Sequence, residues 1–85
     1  MSRKRIKLNM YDLYDMGIDW SESHRVHDRY NNRGTRFVLN KQLTSNQLDI
    51  INNYKNVVIS DCQYRYAPEI KYTTIILMDK CIKNY

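Results

Sequence analysis

Val57-Val58-Ile59-Ser60-Asp61-Cys62-Gln63-Tyr64-Arg65-Tyr66, then Ala67-Pro68-Glu69, then Ile70-Lys71-Tyr72-Thr73-Thr74-Ile75-Ile76-Leu77-Met78-Asp79: two β-rich runs flank a short stretch holding the chain's one proline. β-branched and aromatic residues dominate both runs, and a proline-bearing tripeptide between them predicts an antiparallel hairpin. Centred on Pro68, the hairpin pairs Tyr64 with Tyr72, Cys62 with Thr74 and Val58 with Met78. Those residues, with Tyr66, Ile70 and Ile76, are expected to form the core face. The opposite face then sets Ile59 against Leu77, and Arg65 directly across from Lys71. Like charges opposed across strands are destabilising, so that pair would welcome an anion.

Working back from the hairpin, Thr44 and Gln47 have capping-box spacing ahead of Leu48, Ile51 and Tyr54, which predicts a helix ending near Lys55. Before it, Arg36 to Asn40 reads as a short strand, with Phe37 and Leu39 on one side. The helix is long enough to be a crossover, which would leave the Phe37 and Val57 strands parallel. Asn31-Asn32-Arg33-Gly34 reads as a turn. Ser21 is a suitable cap for a helix running through Tyr30, with Val26 and Tyr30 four apart on one face. Tyr11 to Met16 reads as a helix stopped by Gly17, and Ile6, Leu8 and Met10 alternate as in a half-buried strand. The expectation is an α+β fold, a small domain with about four strands, including the C-terminal hairpin, and two or three helices. Residues 1–85 are read as one compact domain with a basic N-terminal arm.

The chain has 85 residues, so its core is thin and a deep pocket would remove contacts the fold needs. Hydrophobic residues make up 42%, which excludes a wholly disordered chain. The longest apolar run, Ile75 to Met78, falls far short of the roughly 20 residues of a membrane-spanning helix. The basic start Met1-Ser2-Arg3-Lys4-Arg5 lacks the apolar segment of a signal peptide, so a cytoplasmic location and no membrane contact are expected. Fourteen Lys and Arg against nine acids give a net charge of +5, which favours an anionic partner. Eight tyrosines against one Phe and one Trp supply rings with polar tips, suited to interfaces. Abundant Asn, Lys, Ile and Tyr is the usage of an AT-rich genome, common among phages and mobile elements.

Residues that carry chemistry are present without a framework around them. His24, His27 and Asp28 with Cys62 and Cys81 are zinc-ligand types, but no paired-cysteine knuckle holds them. The hairpin offset puts the two cysteines about 20 Å apart, beyond disulfide range. Asp12, Asp15 and Asp19 fit the wet side of a helix, with no phosphate loop or triad nearby. No catalytic residue, metal or other cofactor is expected.

Leu13-Tyr14-Asp15-Met16-Gly17-Ile18 followed by Asp19-Trp20-Ser21-Glu22-Ser23-His24-Arg25-Val26 resembles the middle of a helix-turn-helix, with Ser23 where that family carries an apolar residue. The resemblance implies a second helix in the major groove, with His24, Arg25 and Arg29 as its readers.

Two function classes follow. In the first, the chain is a small non-enzymatic protein that inhibits or regulates a host protein or nucleoprotein machine bearing an acidic surface. In size and composition it resembles small phage inhibitors, anti-CRISPR proteins among them. In the second, it binds DNA or RNA directly through the segment around residues 13–30. The expected contact residues are Arg3, Lys4 and Arg5 in the arm, His24, Arg25 and Arg29, and Tyr64, Arg65, Tyr66 and Lys71 at the hairpin tip. Interspersed acids and bases favour the first class, because a dedicated nucleic-acid binder more often shows a clean basic stripe.

Overall fold

A computed structural model describes residues 7–81. Its elements run α1 (Met10–Asp15), β1 (Trp20–His27), β2 (Arg33–Leu39), α2 (Ser45–Ile51), β3 (Val57–Tyr64) and β4 (Ala67–Met78). The strands form one sheet in the order β1-β2-β4-β3, and each of its three ladders is antiparallel. This is an α+β domain of four strands and two helices. β2 and β3 run in the same direction but do not pair, because β4 inserts between them.

α1 is short and closed at both ends. Asn9 caps it through a box in which its side-chain oxygen accepts from Asp12 N (3.0 Å) and the Asp12 carboxylate accepts from Asn9 N (3.0 Å). At the other end Ile18 N donates to Leu13 O and Gly17 N to Tyr14 O, with Gly17 at φ 75°. That double bond is a Schellman motif, and its left-handed position is the one glycine adopts without strain. The cap overrides the alternation of Ile6, Leu8 and Met10: Leu8 and Asn9 are not in a strand and Met10 opens the helix, while Ile6 lies outside the described residues. α2 begins at the predicted box, Thr44 N donating to Gln47 Oε1 (3.0 Å) and Gln47 N to Thr44 Oγ1 (3.1 Å). Gln47 Nε2 also donates to Met16 O at 3.1 Å, which ties the start of α2 to the end of α1.

The segment expected as a helix from Ser21 to Tyr30 is strand β1. Ser, His, Trp and Val are weak helix formers, and only Val26 and Tyr30 repeat at helical spacing, too few to bury a stripe. A tight turn then fixes the β1–β2 hairpin. The Asp28 carboxylate accepts from Tyr30 N, Asn32 N and Asn32 Nδ2, and Asn31 takes the left-handed φ of 65°. The turn therefore precedes Arg33. Gly34, expected within it, lies buried in β2, where a Cβ would sit 2.8 Å from Leu77 O and 2.9 Å from the Met78 sulfur.

Both helices cover one face of the sheet. Leu13 and Ile18 around α1 and Ile51 from α2 pack with Phe37, Leu39, Val57, Ile75 and Leu77, and Trp20 meets Phe37 edge-on at 4.9 Å between ring centroids. Asn56 is 2% exposed at the centre of this layer and pins the entering chain to β4. Its amide accepts from Leu8 N (2.8 Å) and donates to Leu8 O (2.9 Å) and Met78 O (3.1 Å).

The C-terminal hairpin is present, with a register two residues from the expected one: Cys62 pairs with Tyr72, and Val58 with Ile76. Pro68 lies inside β4, and the reversal falls at Arg65 and Tyr66. From Val57 to Gln63 a two-residue slip keeps each side chain on its own side of the ribbon, so the grouping into faces survives there; an irregularity between Gln63 and Tyr64 ends it at the tip. Which face is the core does not survive. Ile59, Ile75 and Leu77 face the helices, while Val58, Tyr72, Thr74, Ile76 and Met78 occupy the other side. Both faces of these strands are rich in aliphatic residues, so period-two counting alone cannot choose between them.

Candidate binding surfaces on the hairpin and the open sheet face

β2 pairs only with the Thr74–Met78 part of β4. The remainder of β4, from Ala67 to Thr73, pairs with β3 alone and projects past the sheet as a two-stranded ribbon about 20 Å long. The molecule is elongated as a result, 48 × 31 × 21 Å. Its radius of gyration is 13.4 Å, against about 12 Å for a compact chain of this length. The ribbon tip presents Arg65, Tyr66 and Ile70 to solvent, Tyr66 at 93% exposure, with Lys71 nearby. Lys71 stands opposite Gln63, so the expected facing of Arg65 and Lys71 does not occur; Arg65 lies in the turn. Tyr64 ends β3 opposite Ala67.

The other expected contact residues are scattered. Arg3, Lys4 and Arg5 lie outside the described residues. His24 is exposed on β1, across from Arg36, on the face away from the helices. Arg25 points to the helix side and forks onto Asp79, at 2.6 Å and 3.1 Å, while its Nη1 also donates to Thr35 Oγ1 at 2.8 Å. The Arg25 hydrogen bond, and then its charge with those of Lys7 and Arg33, hold Asp79 below the usual carboxylate range. Arg29 is exposed in the β1–β2 turn. With residues 20–27 in a strand, no recognition helix carries His24, Arg25 and Arg29 together, so the helix-turn-helix geometry is absent.

The same change of element separates the candidate metal ligands. Residues three apart share a helix face but fall on opposite faces of a strand, which parts His24 from His27. Among the described residues no group of three or more His, Cys, Asp or Glu is arranged to hold a metal. Cys62 and Cys81 are both free. Asp12 is buried, with its carboxylate engaged at the α1 cap.

The sequence reading missed a second surface, the bare side of the sheet. In cross-strand order, His24, Arg36, Ile76 and Val58 form one row, and Val26, Gly34 and Met78 the next. Among the described residues no helix covers this side. Val26, Arg36, Val58, Ile76 and Met78, with His27, Asp28 and Asn32 at one end, line a groove of about 350 Å³. Arg36 Nε is buried there without a hydrogen-bond partner among the described residues. The signal is present in the sequence as the hairpin face of Val58, Tyr72 and Ile76, whose composition reads as core.

No helix among the described residues is long and apolar enough to cross a membrane. No protein-family model, curated protein or solved structure matches the chain.

Proposed function

We propose that the chain is a non-catalytic binding protein that inhibits or regulates a protein or nucleoprotein with an acidic surface, and that the β3–β4 ribbon is its principal contact element. The observation that carries this reading is the projecting tip, where a fully exposed tyrosine stands beside Arg65 with Lys71 close by. Tyr and Arg are the side chains most often found as anchors at interfaces, and a tip held away from the body meets a partner first. Arg25 is taken up by Asp79, which leaves the tip as the better candidate for recognition. Asn-, Lys-, Ile- and Tyr-rich usage supports a phage or mobile-element origin, and with it a target in the host cytoplasm. Direct nucleic-acid binding retains one observation in its favour, since the major groove admits a two-stranded ribbon of this kind.

The test is capture from host lysate with and without nuclease, using wild type and a tip variant carrying Arg65→Glu and Tyr66→Ala. A protein that stays bound after nuclease treatment and is lost with the tip variant is the expected result. Capture that vanishes with nuclease assigns the ribbon to nucleic acid instead. Equal capture by both forms overturns the role of the tip.

A further inference from the structure

We propose that the bare face of the sheet is a second docking surface, that its occupant is an amphipathic helix of a protein partner, and that Arg36 receives a carboxylate carried among that helix's aliphatic side chains. The inference rests on the protein-binding reading above and adds the chemistry of what is bound.

Three observations converge on it. The first is composition. Val26, Val58, Ile76 and Met78 line one groove with Arg36, the first three half-buried and Met78 nearly buried at its floor, and the hairpin part of it is apolar enough to pass for core in the sequence. Among the described residues helices cover only the opposite face, so this part of the chain is a two-layer structure with the materials for a third layer. The second is Arg36. It is half-buried between His24 and Ile76, and its Nε is shielded from solvent without a hydrogen-bond partner among the described residues. A desolvated donor of this kind destabilises the fold unless something completes it.

The third is charge. Asp28 borders the groove and keeps its negative charge, but its oxygens accept from Tyr30 N, Asn32 N and Asn32 Nδ2 and neither is bonded to Arg36. Glu22 is on the same face but one row away, near Val38. The row containing Arg36 has His24 on one side and apolar residues on the other, and no carboxylate among the described residues pairs with the guanidinium, so Arg36 is the charge an incoming anion would meet in the groove. Aliphatic walls select a carboxylate flanked by hydrocarbon over a phosphate backbone.

The alternatives fit less well. A strand would add to an edge of the sheet, β1 or β3, and not to its face. A second copy packed face to face with its two-fold axis at this groove would bring Arg36 against Arg36. A helix can lay an apolar stripe across the strands, as α1 and α2 do on the other side, with a single acid placed over Arg36. The surface is continuous with the ribbon, because Ile70 and Tyr72 extend the same side of β4 toward the tip.

The probe is a short, blocked helical peptide with Leu and Ile on one face and one central Glu, compared with the same peptide carrying Gln. Both are titrated into the isotopically labelled full chain and followed by amide and methyl resonances. The Glu peptide is expected to shift Val26, Arg36, Val58, Ile76 and Met78, leave Arg65 and Tyr66 unmoved, and bind roughly tenfold more tightly than the Gln peptide. Arg36→Met should abolish that preference and raise the melting temperature by several degrees, since it removes the unpaired donor and keeps the apolar stem.

The proposal is overturned by equal binding of the two peptides, by shifts confined to other surfaces, or by a lower melting temperature for Arg36→Met. It is also overturned if dilution moves the same resonances, which would indicate a second copy, or if a duplex oligonucleotide moves them in preference to the Glu peptide. Failure here leaves capture by the tip intact, and failure of the tip variant to lose its partner leaves the groove result intact.

Discussion

Asn56 is the residue whose loss should be felt most. Its side chain makes three hydrogen bonds in a layer otherwise built of Leu13, Phe37, Ile51, Val57 and Ile75, and two of the three hold the backbone of Leu8. Removing one partner from a buried set leaves the others desolvated and unpaired, at about 1–3 kcal/mol for each such group. Asn56→Ala should therefore destabilise the fold by about 2–4 kcal/mol in chemical denaturation, and Asn56→Leu should not rescue it. A loss below half a kilocalorie would show that Leu8 is held by something else. Gly34 makes a different demand, for space. Its neighbour in β4 is a backbone carbonyl that cannot rotate away, so Gly34→Ala should cost about 1–3 kcal/mol through a shift of the β2–β4 ladder. The acids set the pH response. Asp28 is held below the usual carboxylate range, first by the Asn32 side chain and then by the backbone N–H groups of Asn32 and Tyr30 and the His27 charge; Asp79 is held down chiefly by Arg25. A carboxyl with a depressed folded pKa contributes stability above its unfolded pKa and loses it as pH falls through the folded value. The melting temperature should be nearly flat from neutral pH to about 5 and fall below about 4, with a shallower fall in Asp79→Asn. An unchanged acid limb in that variant would remove the pair from the account.

At the scale of elements, the start of α2 is legible, whereas its end, at Ile51 and not near Lys55, and the identity of β1 are not, and the reasons differ. Thr44 and Gln47 carry a local instruction: the box depends on two side chains and the backbone between them, so tertiary context has little to override. Thr44→Ala should cost about 1 kcal/mol and leave the sheet unchanged, as measured by helical ellipticity and the denaturation midpoint. Trp20 to His27 carries no such instruction. As an edge strand it buries almost nothing, and its exposed Ser, Glu, His and Arg residues show neither a clear period of two nor a helical stripe. Its structure is imposed by the ladder to β2 and by the Asp28–Asn32 turn. The helix-turn-helix resemblance inherited that ambiguity: the short helix and glycine were right, and the second helix was not. The hairpin is intermediate. Its existence and the grouping of its faces follow from β-rich composition, but its core side depends on where α1 and α2 land, which no stretch of β3 or β4 encodes. For the same reason Arg36 was overlooked, since its environment is assembled from three neighbouring strands.

At the scale of the whole molecule, charge and shape act together. Lys and Arg exceed acids by five, but these charges are not equivalent. Arg25 is neutralised by Asp79, whereas Arg65 and Lys71 sit on an arm that extends beyond the sheet. At about 0.1 M salt, charges separated by more than about 10 Å are largely screened from one another, so an approaching acidic surface responds to the cations nearest to it. Those are the tip residues. Arg65→Glu with Lys71→Glu should therefore slow association with the captured partner by about an order of magnitude at low salt, and change dissociation less. The deficit should shrink as salt rises, because wild type loses its steering under the same screening. Arg25→Glu should instead lower the melting temperature, by breaking the fork onto Asp79, with little effect on the association rate of the folded fraction. Stopped-flow association across a salt series separates these cases. If Arg25→Glu slows association as much as the tip variant does, recognition runs along the β1 edge and the ribbon is only a support. If both variants associate like wild type at every salt concentration, charge does not guide this protein to its partner, and the excess of five cations serves only its solubility.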